Sequence, residues 1–402
     1  MGIMEKIRAY VVERLDISRE VPDEEILALI DEAVCQRARQ QVLSVKQRGQ
    51  LRRETFYSLR RLDILQELIE DDTITEIMVN GAGKIFYERQ GRIQQWDKCF
   101  ASREKLEDVI QQMAGTNNRV VNEYSPIVDT RLKDGSRVNI VLEPIAIDGS
   151  CIAIRKFPAN PITMERMIEI GSLSREMAEF LEELVVARYN VFISGGTGSG
   201  KTTFLNAMSA FIPKGERLVT IEDSAELQIR DVPNLVRLEA RSDTMEVGNE
   251  VSIRDLIKTS LRLRPDRIIV GEIRGAEALD MLQAMNTGHD GSISTGHSNS
   301  CADMLRRIQT MVRMGMELPL DAICAQIASG IDILIHLGRL RDGTRKVLDI
   351  RELTDYREGS FCMNSLYRFR ETGEEGGRIT GCWDREGVLE RRDKLLAAGL
   401  GR

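Results

Sequence analysis

The chain is 402 residues long, more than one compact core usually holds, which favours two domains with extensions. Hydrophobic residues make up 42% of it and charged residues 30%, the balance of a folded α/β protein rather than a disordered one. The formal net charge of -7 argues against a protein that binds nucleic acid over a broad basic surface.

The cysteines and the apolar segments indicate where in the cell the protein is expected. The cysteine pattern favours a reducing compartment. The seven cysteines are odd in number and none has the CxxC spacing, so neither a disulfide framework nor a zinc site is expected. The N-terminal segment carries charges every few residues and lacks the apolar core of a signal peptide. No stretch reaches the ~20 apolar residues that span a bilayer. We therefore expect a cytoplasmic protein, with docking on a membrane protein left open.

Residues 1–70 have the periodicity of a helical extension. Apolar positions recur at helical spacing between residues 26 and 34, and Pro22 with Asp23 is typical of a helix start. Residues 46–61 hold six basic side chains against a single acidic one, Glu54. Two interpretations stay open for them: a solvated helix face, or a docking surface for an acidic partner.

Between residues 71 and 157 the pattern changes to that of a small α+β domain. The predicted elements are strands at 74–79, 84–87 and 151–157, a helix over 102–114 and a hairpin turn at 133–136. Asp134-Gly135 indicates the hairpin because both central residues of its turn must tolerate positive φ. Two prolines then predict a stiff linker over 158–173.

Residues 174–360 alternate helical segments with short apolar runs, which predicts a parallel sheet wrapped by helices. The predicted parallel strands lie at 190–194, 217–222, 266–271, 291–295 and 331–337. Two further runs, 346–350 and 361–369, are expected to close the domain as antiparallel strands. Residues 361–402 are assigned to a C-terminal tail, flexible across its glycine- and charge-rich part at 371–381 and ending in a short helix.

A glycine-rich loop carries the strongest functional signal. Residues 195–202 read GGTGSGKT and match G-x-x-x-x-G-K-[ST] between a predicted strand and a predicted helix over 203–211. Glycines let successive backbone N–H groups face phosphate oxygens, and the helix N-terminus adds partial positive charge. The loop is therefore predicted to bind ATP, with Lys201 on the β- and γ-phosphates and the Thr202 hydroxyl on Mg²⁺. The nucleotide-contacting residues are Gly195, Gly196, Thr197, Gly198, Ser199, Gly200, Lys201, Thr202 and Thr203.

Three segments after the loop supply carboxylates and histidines at predicted strand ends. They are 219–227 (VTIEDSAEL), 264–272 (RPDRIIVGE) and 287–297 (TGHDGSISTGH). Because parallel sheets place their sites at the carboxyl ends of strands, all three should converge on the edge that holds the loop. His289 and His297 are two of the three histidines in the chain, and their pairing beside a strand favours a functional role. A metal site is the alternative.

The four motifs resemble those of the secretion-superfamily ATPases (GspE/type II–type IV), specifically the CpaF-type ATPases that assemble tight-adherence (Flp) pili. The resemblance spans residues 60–355 and depends on GGTGSGKT, TIEDSAEL, LRLRPDRIIVGEIRGAEA and AMNTGHDGSISTGHSNS in that order. It implies a RecA-like P-loop NTPase core. It also implies a homo-hexameric motor at the inner face of the cytoplasmic membrane, with an inner-membrane platform protein as partner. ATP turnover would then drive pilus assembly or protein export.

Carried over by position, the resemblance assigns roles to the acidic residues. Glu226 matches the acidic-box carboxylate that positions or activates the attacking water, although Glu222 and Asp223 compete for that role. Glu272 matches the glutamate that ends the Walker B strand beside Mg²⁺ and the γ-phosphate. Gly271 stands where many nucleotide hydrolases have aspartate, so contact between Glu272 and Mg²⁺ is expected to run partly through water.

His289 and His297 match the histidine box of the family, which is expected to sense the γ-phosphate or a neighbouring subunit. Arg274, directly after the Walker B segment, has two open interpretations: a catalytic cation or one half of a structural salt bridge.

Phosphoryl transfer spreads negative charge over the departing group, so additional cations are expected near the nucleotide. Arg131 and Arg137 flank the predicted hairpin tip, and Arg155 lies on the last strand of the first domain. The resemblance supports an interdomain nucleotide site with such arginines. Ordinary surface charge is the alternative. As a separate hypothesis, ATP binding closes the first domain onto the second about a hinge at 157–173.

Two other classes of function stay open. A RecA-like ATPase that translocates nucleic acid would be stimulated by single-stranded DNA, but the acidic chain lacks an aromatic–basic stretch, so no direct nucleic-acid partner is expected. A nucleotide-binding scaffold would hydrolyse little ATP, and the presence of both Glu226 and Glu272 argues against it.

Overall fold

The computed structural model describes residues 2–16, 18–19, 21–89, 91–117, 119–157, 161–241 and 250–400. The chain divides into two compact units, Met1–Ala159 and Asn160–Arg402. Each unit has two hydrophobic clusters of its own among the described residues. No helix in the described ranges is both long enough and apolar enough to cross a membrane.

The first unit begins with three helices: α1 (Ile3–Arg14), α2 (Asp23–Gln40) and α3 (Val45–Arg60). Three acidic residues occupy the first turn of α2, where the helix dipole favours negative charge. Side chains of the basic segment pair with two acids of α2: Arg52 Nε lies 2.7 Å from Asp31 Oδ1, and Arg61 Nη2 lies 2.7 Å from Asp23 Oδ2. Part of the predicted basic docking surface is therefore neutralised within the bundle.

The rest of the first unit is an antiparallel sheet with helices packed on it. Its elements are α4 (Leu65–Glu70), β1 (Ile74–Asn80), β2 (Lys84–Arg89), β3 (Arg92–Gln95), α5 (Arg103–Gly115), β4 (Ile127–Arg131), β5 (Arg137–Val141) and β6 (Cys151–Arg155). The strands pair in the order β3-β2-β1-β6-β5-β4. Helix α5 buries Leu106, Ile110 and Met113 in the core of this sheet. The predicted helix over 102–114 and the hairpin with its turn at 133–136 are confirmed.

The second unit alternates helices and strands along most of its length. Its first elements are α6 (Met164–Glu169), α7 (Arg175–Val186), β7 (Val191–Gly195), α8 (Lys201–Ser209), β8 (Arg217–Glu222), β9 (Asn234–Glu239), α9 (Ile253–Ser260) and β10 (Arg267–Val270). They are followed by α10 (Glu277–Asn286), β11 (Ile293–Gly296), α11 (Cys301–Gly315), α12 (Leu320–Gly330), β12 (Ile333–Arg339), β13 (Arg345–Arg357), β14 (Ser360–Glu375), β15 (Arg378–Arg385) and α13 (Asp393–Ala397).

These strands form one sheet in the order β15-β14-β13-β12-β7-β11-β10-β8-β9. The six strands from β12 to β9 are parallel to their neighbours, and β13, β14 and β15 extend the sheet as antiparallel strands. Successive residues of β7 face opposite sides of the sheet. Val191 and Ile193 pack with α7 and α8, whereas Phe192 packs with α10, α11 and α12. The sheet is therefore covered by helices on both faces.

The five predicted parallel strands are confirmed, but a sixth, β9, was not predicted. The predicted flexible tail at 371–381 is wrong. Residues 360–375 and 378–385 form a long hairpin, β14–β15, that joins the main sheet, and the predicted short terminal helix follows as α13. Glycines 376 and 377, both with positive φ, form the turn that the sequence presented only as a flexible composition.

The predicted linker over 158–173 is only partly a connecting segment. Residues 158–160 lie outside the described residues, but α6 buries Met164 and Met167 in the core of the second unit. The Ser172 carbonyl accepts a hydrogen bond from the Val347 amide. A hinge over the whole of 157–173 is therefore wrong, because the segment from Met164 onward packs with the sheet that follows it.

Candidate functional site

The glycine-rich loop leaves β7 at Gly195 and enters α8 at Lys201. Gly198 and Gly200 have φ values of 72° and 92°, a region that side chains other than glycine rarely adopt. A Cβ on Gly195 would lie 2.5 Å from Ser199 Oγ and 2.6 Å from the Leu337 carbonyl oxygen. The loop therefore needs glycine at these positions both for its turns and for its close packing against β12.

The N-terminus of α8 presents its amides at the end of this loop. The helix begins at Lys201, two residues before the predicted start, and Phe204 is the first residue whose amide bonds back, to the Gly200 carbonyl at 2.8 Å. The earlier amides have no acceptor within the helix and carry the positive end of its dipole. Ser199 Oγ is buried, and among the described residues it has no hydrogen-bond partner. This combination suits a phosphate group.

Lys201 is folded back over the loop. Its Nζ donates to the carbonyl oxygens of Gly195 at 3.1 Å and Gly196 at 3.2 Å, and it lies 3.2 Å from His297 Nδ1. Burial lowers the pKa of Lys201, while the nearby charge of Glu272 raises it in part. The ammonium group is thus held at the mouth of the loop by neutral acceptors, which an anion can replace.

His297 connects this lysine to Glu272, the glutamate that the sequence predicts at the end of the Walker B strand. Its Nε2 lies 3.1 Å from Glu272 Oε1, on the side of the ring opposite Lys201. Burial lowers the pKa of His297, so the neutral ring is favoured at neutral pH. With lysine donating to Nδ1 and a carboxylate accepting at the other nitrogen, these partners assign the Nε2–H tautomer. Lys201, His297 and Glu272 therefore form a continuous polar chain.

Arg274 pairs with the same glutamate. Its Nε donates to Glu272 Oε1 at 2.9 Å, and its Nη1 lies 3.5 Å from Asp223 Oδ2. The hydrogen bond with Glu272 raises the pKa of Arg274. Of the two interpretations left open by the sequence, the structure thus shows the salt bridge, and it joins the acidic segment after β8 to the segment after β10.

Glu222 holds the backbone of the acidic segment. Its Oε1 accepts from the amides of Glu226 at 2.8 Å and Leu227 at 2.9 Å, while its Oε2 has no partner among the residues described. Burial raises its pKa to about 7. A Cβ on Gly271 would lie 3.0 Å from Glu222 Cγ, so the buried glutamate occupies the space that a Walker B aspartate would need. This contact explains the glycine at that position.

The two predicted histidines lie at opposite edges of the sheet. His297 follows the carboxyl end of β11, beside the loop, whereas His289 precedes its amino end and contacts the Ala284 carbonyl through Nδ1 at 3.3 Å. Strands β11 and β7 are parallel, with Gly296 opposite Ser194. The prediction that the whole histidine segment converges on the loop is therefore wrong for His289, because one strand separates the two residues.

The three predicted arginines of the first unit form a row across its sheet. Arg131 on β4 lies opposite Arg137 on β5, which in turn lies opposite Arg155 on β6. Residues in direct register on neighbouring strands project from the same face. The structure thus gathers three residues that the sequence placed in two separate segments.

Two contacts of the loop were not predicted. Arg345 Nε, at the start of β13, donates to the Gly198 carbonyl at 2.8 Å. His336 on β12 is buried, and its Nδ1 lies 2.9 Å from Ser194 Oγ directly before the loop. Neither residue belongs to a motif. The pairing of β12 with β7 brings His336 to the loop, and the pairing of β13 with β12 brings Arg345 there.

Comparison with known proteins identifies the family of the chain. Residues 59–377 match the family model described as type II/IV secretion system protein. A putative conjugal transfer protein of Mycobacterium tuberculosis is 33% identical over 72% of this chain and 84% of its own length. The type IV secretion system protein VirB11 of Brucella suis is 31% identical over 70% of this chain and 86% of its own.

Among solved structures, the Legionella pneumophila ATPase DotB has the same fold, with a TM-score of 0.53 and 23% identity over 75% of this chain and 81% of that one. The fold and the loop together define a P-loop ATPase with a RecA-like core and an N-terminal domain. The chain belongs to the family of type II/IV secretion system proteins. The narrower resemblance to CpaF-type ATPases stays a prediction.

Proposed function

We propose that this chain hydrolyses MgATP on the 195–202 loop and that the hydrolysis drives a ring-shaped motor of a secretion or pilus-assembly machine. The loop amides and Lys201 would bind the triphosphate, and the hydroxyl of Thr202 would bind its Mg²⁺. Glu226 orients the attacking water, and His297 responds to the γ-phosphate. Family membership and the strand–loop–helix geometry support this proposal.

The observation that carries the proposal is the polar chain from Lys201 through His297 to Glu272. It connects the cation that faces the β- and γ-phosphates with the carboxylate at the end of the Walker B strand. An arriving phosphate replaces the carbonyl oxygens of Gly195 and Gly196 as acceptors for Lys201, because an anion binds an ammonium more strongly than a neutral oxygen does. The movement of the Lys201 ammonium then alters its contact with His297, and His297 in turn contacts Glu272.

The residues present also fit Mg²⁺. The Thr202 hydroxyl and the Glu272 carboxylate are hard oxygen donors of the kind that this ion prefers, and Glu272 would bind it partly through water. When bound, the ion supplies positive charge that stabilises the charge developing on the phosphates. Release of Glu272 from Arg274 and His297 would free its oxygens for this purpose.

We further propose a homo-hexamer at the cytoplasmic face of the inner membrane, with an inner-membrane platform protein as its partner and Arg131, Arg137 and Arg155 as additional cations for the nucleotide. The family supports the assignment to a transport machine, and the naming of relatives as conjugal transfer and type IV secretion proteins favours that class. A tight-adherence pilus is the particular machine that the motif resemblance favours.

Steady-state ATP turnover of Glu272→Gln tests this function. We expect kcat to fall by at least about 10²-fold, the usual size of an electrostatic or positioning contribution, while binding of a fluorescent ATP analogue persists. Glu317→Gln is the matched control, because Glu317 is an exposed glutamate that follows the end of α11. Unchanged turnover in Glu272→Gln would contradict the proposal. Stimulation of the wild-type protein by single-stranded DNA would favour the nucleic-acid translocating alternative instead.

A further inference from the structure

The turn between β12 and β13, residues 340–344, lies beside the glycine-rich loop. It is closed by a hydrogen bond from the Leu340 amide to the Thr344 carbonyl at 2.8 Å. The next residue is Arg345, whose Nε donates to the Gly198 carbonyl at 2.8 Å. The Cδ of the same arginine lies 3.4 Å from the position of a Cβ on Gly200. One side chain therefore covers two of the glycines that shape the loop.

The C-terminal hairpin β14–β15 holds this turn in place. Asp342 Oδ1 accepts from the amide and hydroxyl of Thr344 at 2.9 and 2.6 Å, and its Oδ2 accepts from the Ile379 amide of β15 at 2.7 Å. Arg341 reaches Glu371 of β14 with its Nη1 at 2.7 Å. A continuous set of contacts thus runs from the hairpin through the turn to the loop.

We propose that Arg345 is a positioning residue for nucleotide binding and that the C-terminal hairpin fixes its position. This inference rests on the proposed function, since it concerns the same loop. By drawing the Gly198 carbonyl outward, Arg345 keeps the loop in the one arrangement in which its amides face the phosphates. Without this contact, Gly198 is free to sample other backbone conformations, because glycine has no Cβ to restrict it. Nucleotide binding must then order the loop again and loses affinity.

Variants of Arg345 separate the hydrogen bond from the charge. Arg345→Met removes both and should raise the Kd and KM for ATP by about 3- to 10-fold, the effect of one exposed charged hydrogen bond. The kcat at saturating ATP should stay within about twofold, because the residue does not touch the reacting atoms. Arg345→Gln keeps a donor without charge and should recover most of the affinity. Arg339→Met is the control, because Arg339 is also exposed and lies directly opposite Arg345 in the hairpin.

Unchanged Kd in Arg345→Met overturns the inference. Equal losses in Arg345→Met, Arg345→Gln and Arg339→Met also overturn it, since they would show a general effect of positive charge. Binding is measured directly with a fluorescent ATP analogue, so these outcomes stand whether or not the chain hydrolyses ATP. Unchanged hydrolysis in Glu272→Gln, by contrast, contradicts the proposed function. The ATP affinities of the Arg345 variants would still test the role of Arg345 in nucleotide binding.

A double-mutant cycle tests the part played by the hairpin. Asp342→Ala should raise the Kd for ATP in the wild-type background, by a smaller factor than Arg345→Met. It should have no further effect in the Arg345→Met background, because both changes act through one contact. Additive losses would show that Asp342 acts on the nucleotide by another route, and no loss in Asp342→Ala would show that Arg345 keeps its position without Asp342 and its bond to the hairpin. Either result overturns this part of the inference.

Discussion

Glu222 and Glu226 share one acidic motif, yet the structure gives them different environments. Glu222 is 3% exposed and accepts hydrogen bonds from two backbone amides, those of Glu226 and Leu227. The side chain of Glu226 is half-buried. A sequence motif cannot distinguish the two, because burial depends on which residue of the strand end turns inward. The contacts of Glu222 support a structural role and leave Glu226 as the residue proposed to orient water.

The raised pKa of Glu222 predicts a pH dependence of stability. Burial moves it from 4.5 to about 7, so between these values the folded state binds more protons than the unfolded one. The stability contributed by the protonated group is complete below pH 4.5 and is lost as the pH rises through 7. Glu222→Gln keeps a side-chain oxygen that accepts from the two backbone amides, and it cannot ionise. Between pH 5 and 8, its free energy of unfolding should therefore rise relative to that of the wild-type protein, by up to about 3 kcal/mol.

Urea unfolding of both proteins across this pH range provides the measurement, with Glu317→Gln as a control whose stability should follow the wild type. A constant difference between Glu222→Gln and the wild type at all pH values would show that Glu222 is already ionised in the folded protein.

Other functional residues differ in how far the sequence alone reveals them. The loop with Lys201 follows a motif whose spacing reflects its backbone geometry, and Glu272 and His297 follow strands that a parallel sheet brings to the same edge. The contact of Arg345 with the loop could not be predicted. Arg345 reaches the loop only because β12 pairs with β7 and β13 pairs with β12. Such pairings between distant segments leave no local pattern.

At the scale of elements, the strand predicted at 361–369 is confirmed within β14, whereas β9 and residues 371–385 of the C-terminal hairpin were missed. Strand β9 lies at the edge of the sheet and is only partly buried, so its six residues lack the continuous apolar run of a central strand. In β14 and β15 charged residues face solvent, and Glu371 and Glu374 pair with Arg341 from the turn between β12 and β13. The glycine- and charge-rich composition of residues 371–381 therefore resembles that of a flexible tail.

The C-terminal helix α13 is joined to the amino-end edge of the parallel strands by one lysine. Lys394 Nζ lies 2.7 Å from both Asp290 Oδ1 and Asp332 Oδ2, and Asp332 is buried. Lys394→Met should therefore lower the free energy of unfolding by about 2 kcal/mol, because it leaves the buried Asp332 carboxylate with only the more distant Arg391, whose Nη1 lies 3.7 Å from Oδ1. Part of the loss is offset by the Asn190 amide, which still donates to Asp332.

Chemical denaturation of Lys394→Met beside Arg392→Met measures this effect. Arg392 is an exposed neighbour, so its replacement should change stability by less than about 0.5 kcal/mol. Equal stability of the two variants would show that α13 is held by its apolar contacts alone.

At the scale of the whole molecule, Arg131, Arg137 and Arg155 are the residues of the first unit that we propose as additional cations for the nucleotide. A properly placed arginine is worth roughly 10³- to 10⁵-fold in phosphoryl transfer. The double variant Arg131→Ala, Arg137→Ala should therefore lower kcat by at least about 10²-fold in the assembled oligomer. Turnover per chain should also rise with oligomer size in the wild-type protein, if neighbouring chains complete the site.

Arg92→Ala provides the control, because Arg92 lies on β3, at the opposite edge of the same sheet. ATP turnover measured across size-exclusion fractions would test both statements. Wild-type turnover and ATP affinity in the double variant would exclude these arginines from the reaction.

A structure of the assembled protein with Mg²⁺ and a non-hydrolysable ATP analogue tests the account most directly. We predict that Lys201 Nζ leaves the carbonyl oxygens of Gly195 and Gly196 for the β- and γ-phosphates. Glu272 and Glu226 should both lie within direct or water-bridged reach of the γ-phosphate. A lysine still bound to those carbonyls, or either glutamate more than roughly 10 Å from the γ-phosphate, would contradict the proposed hydrolysis.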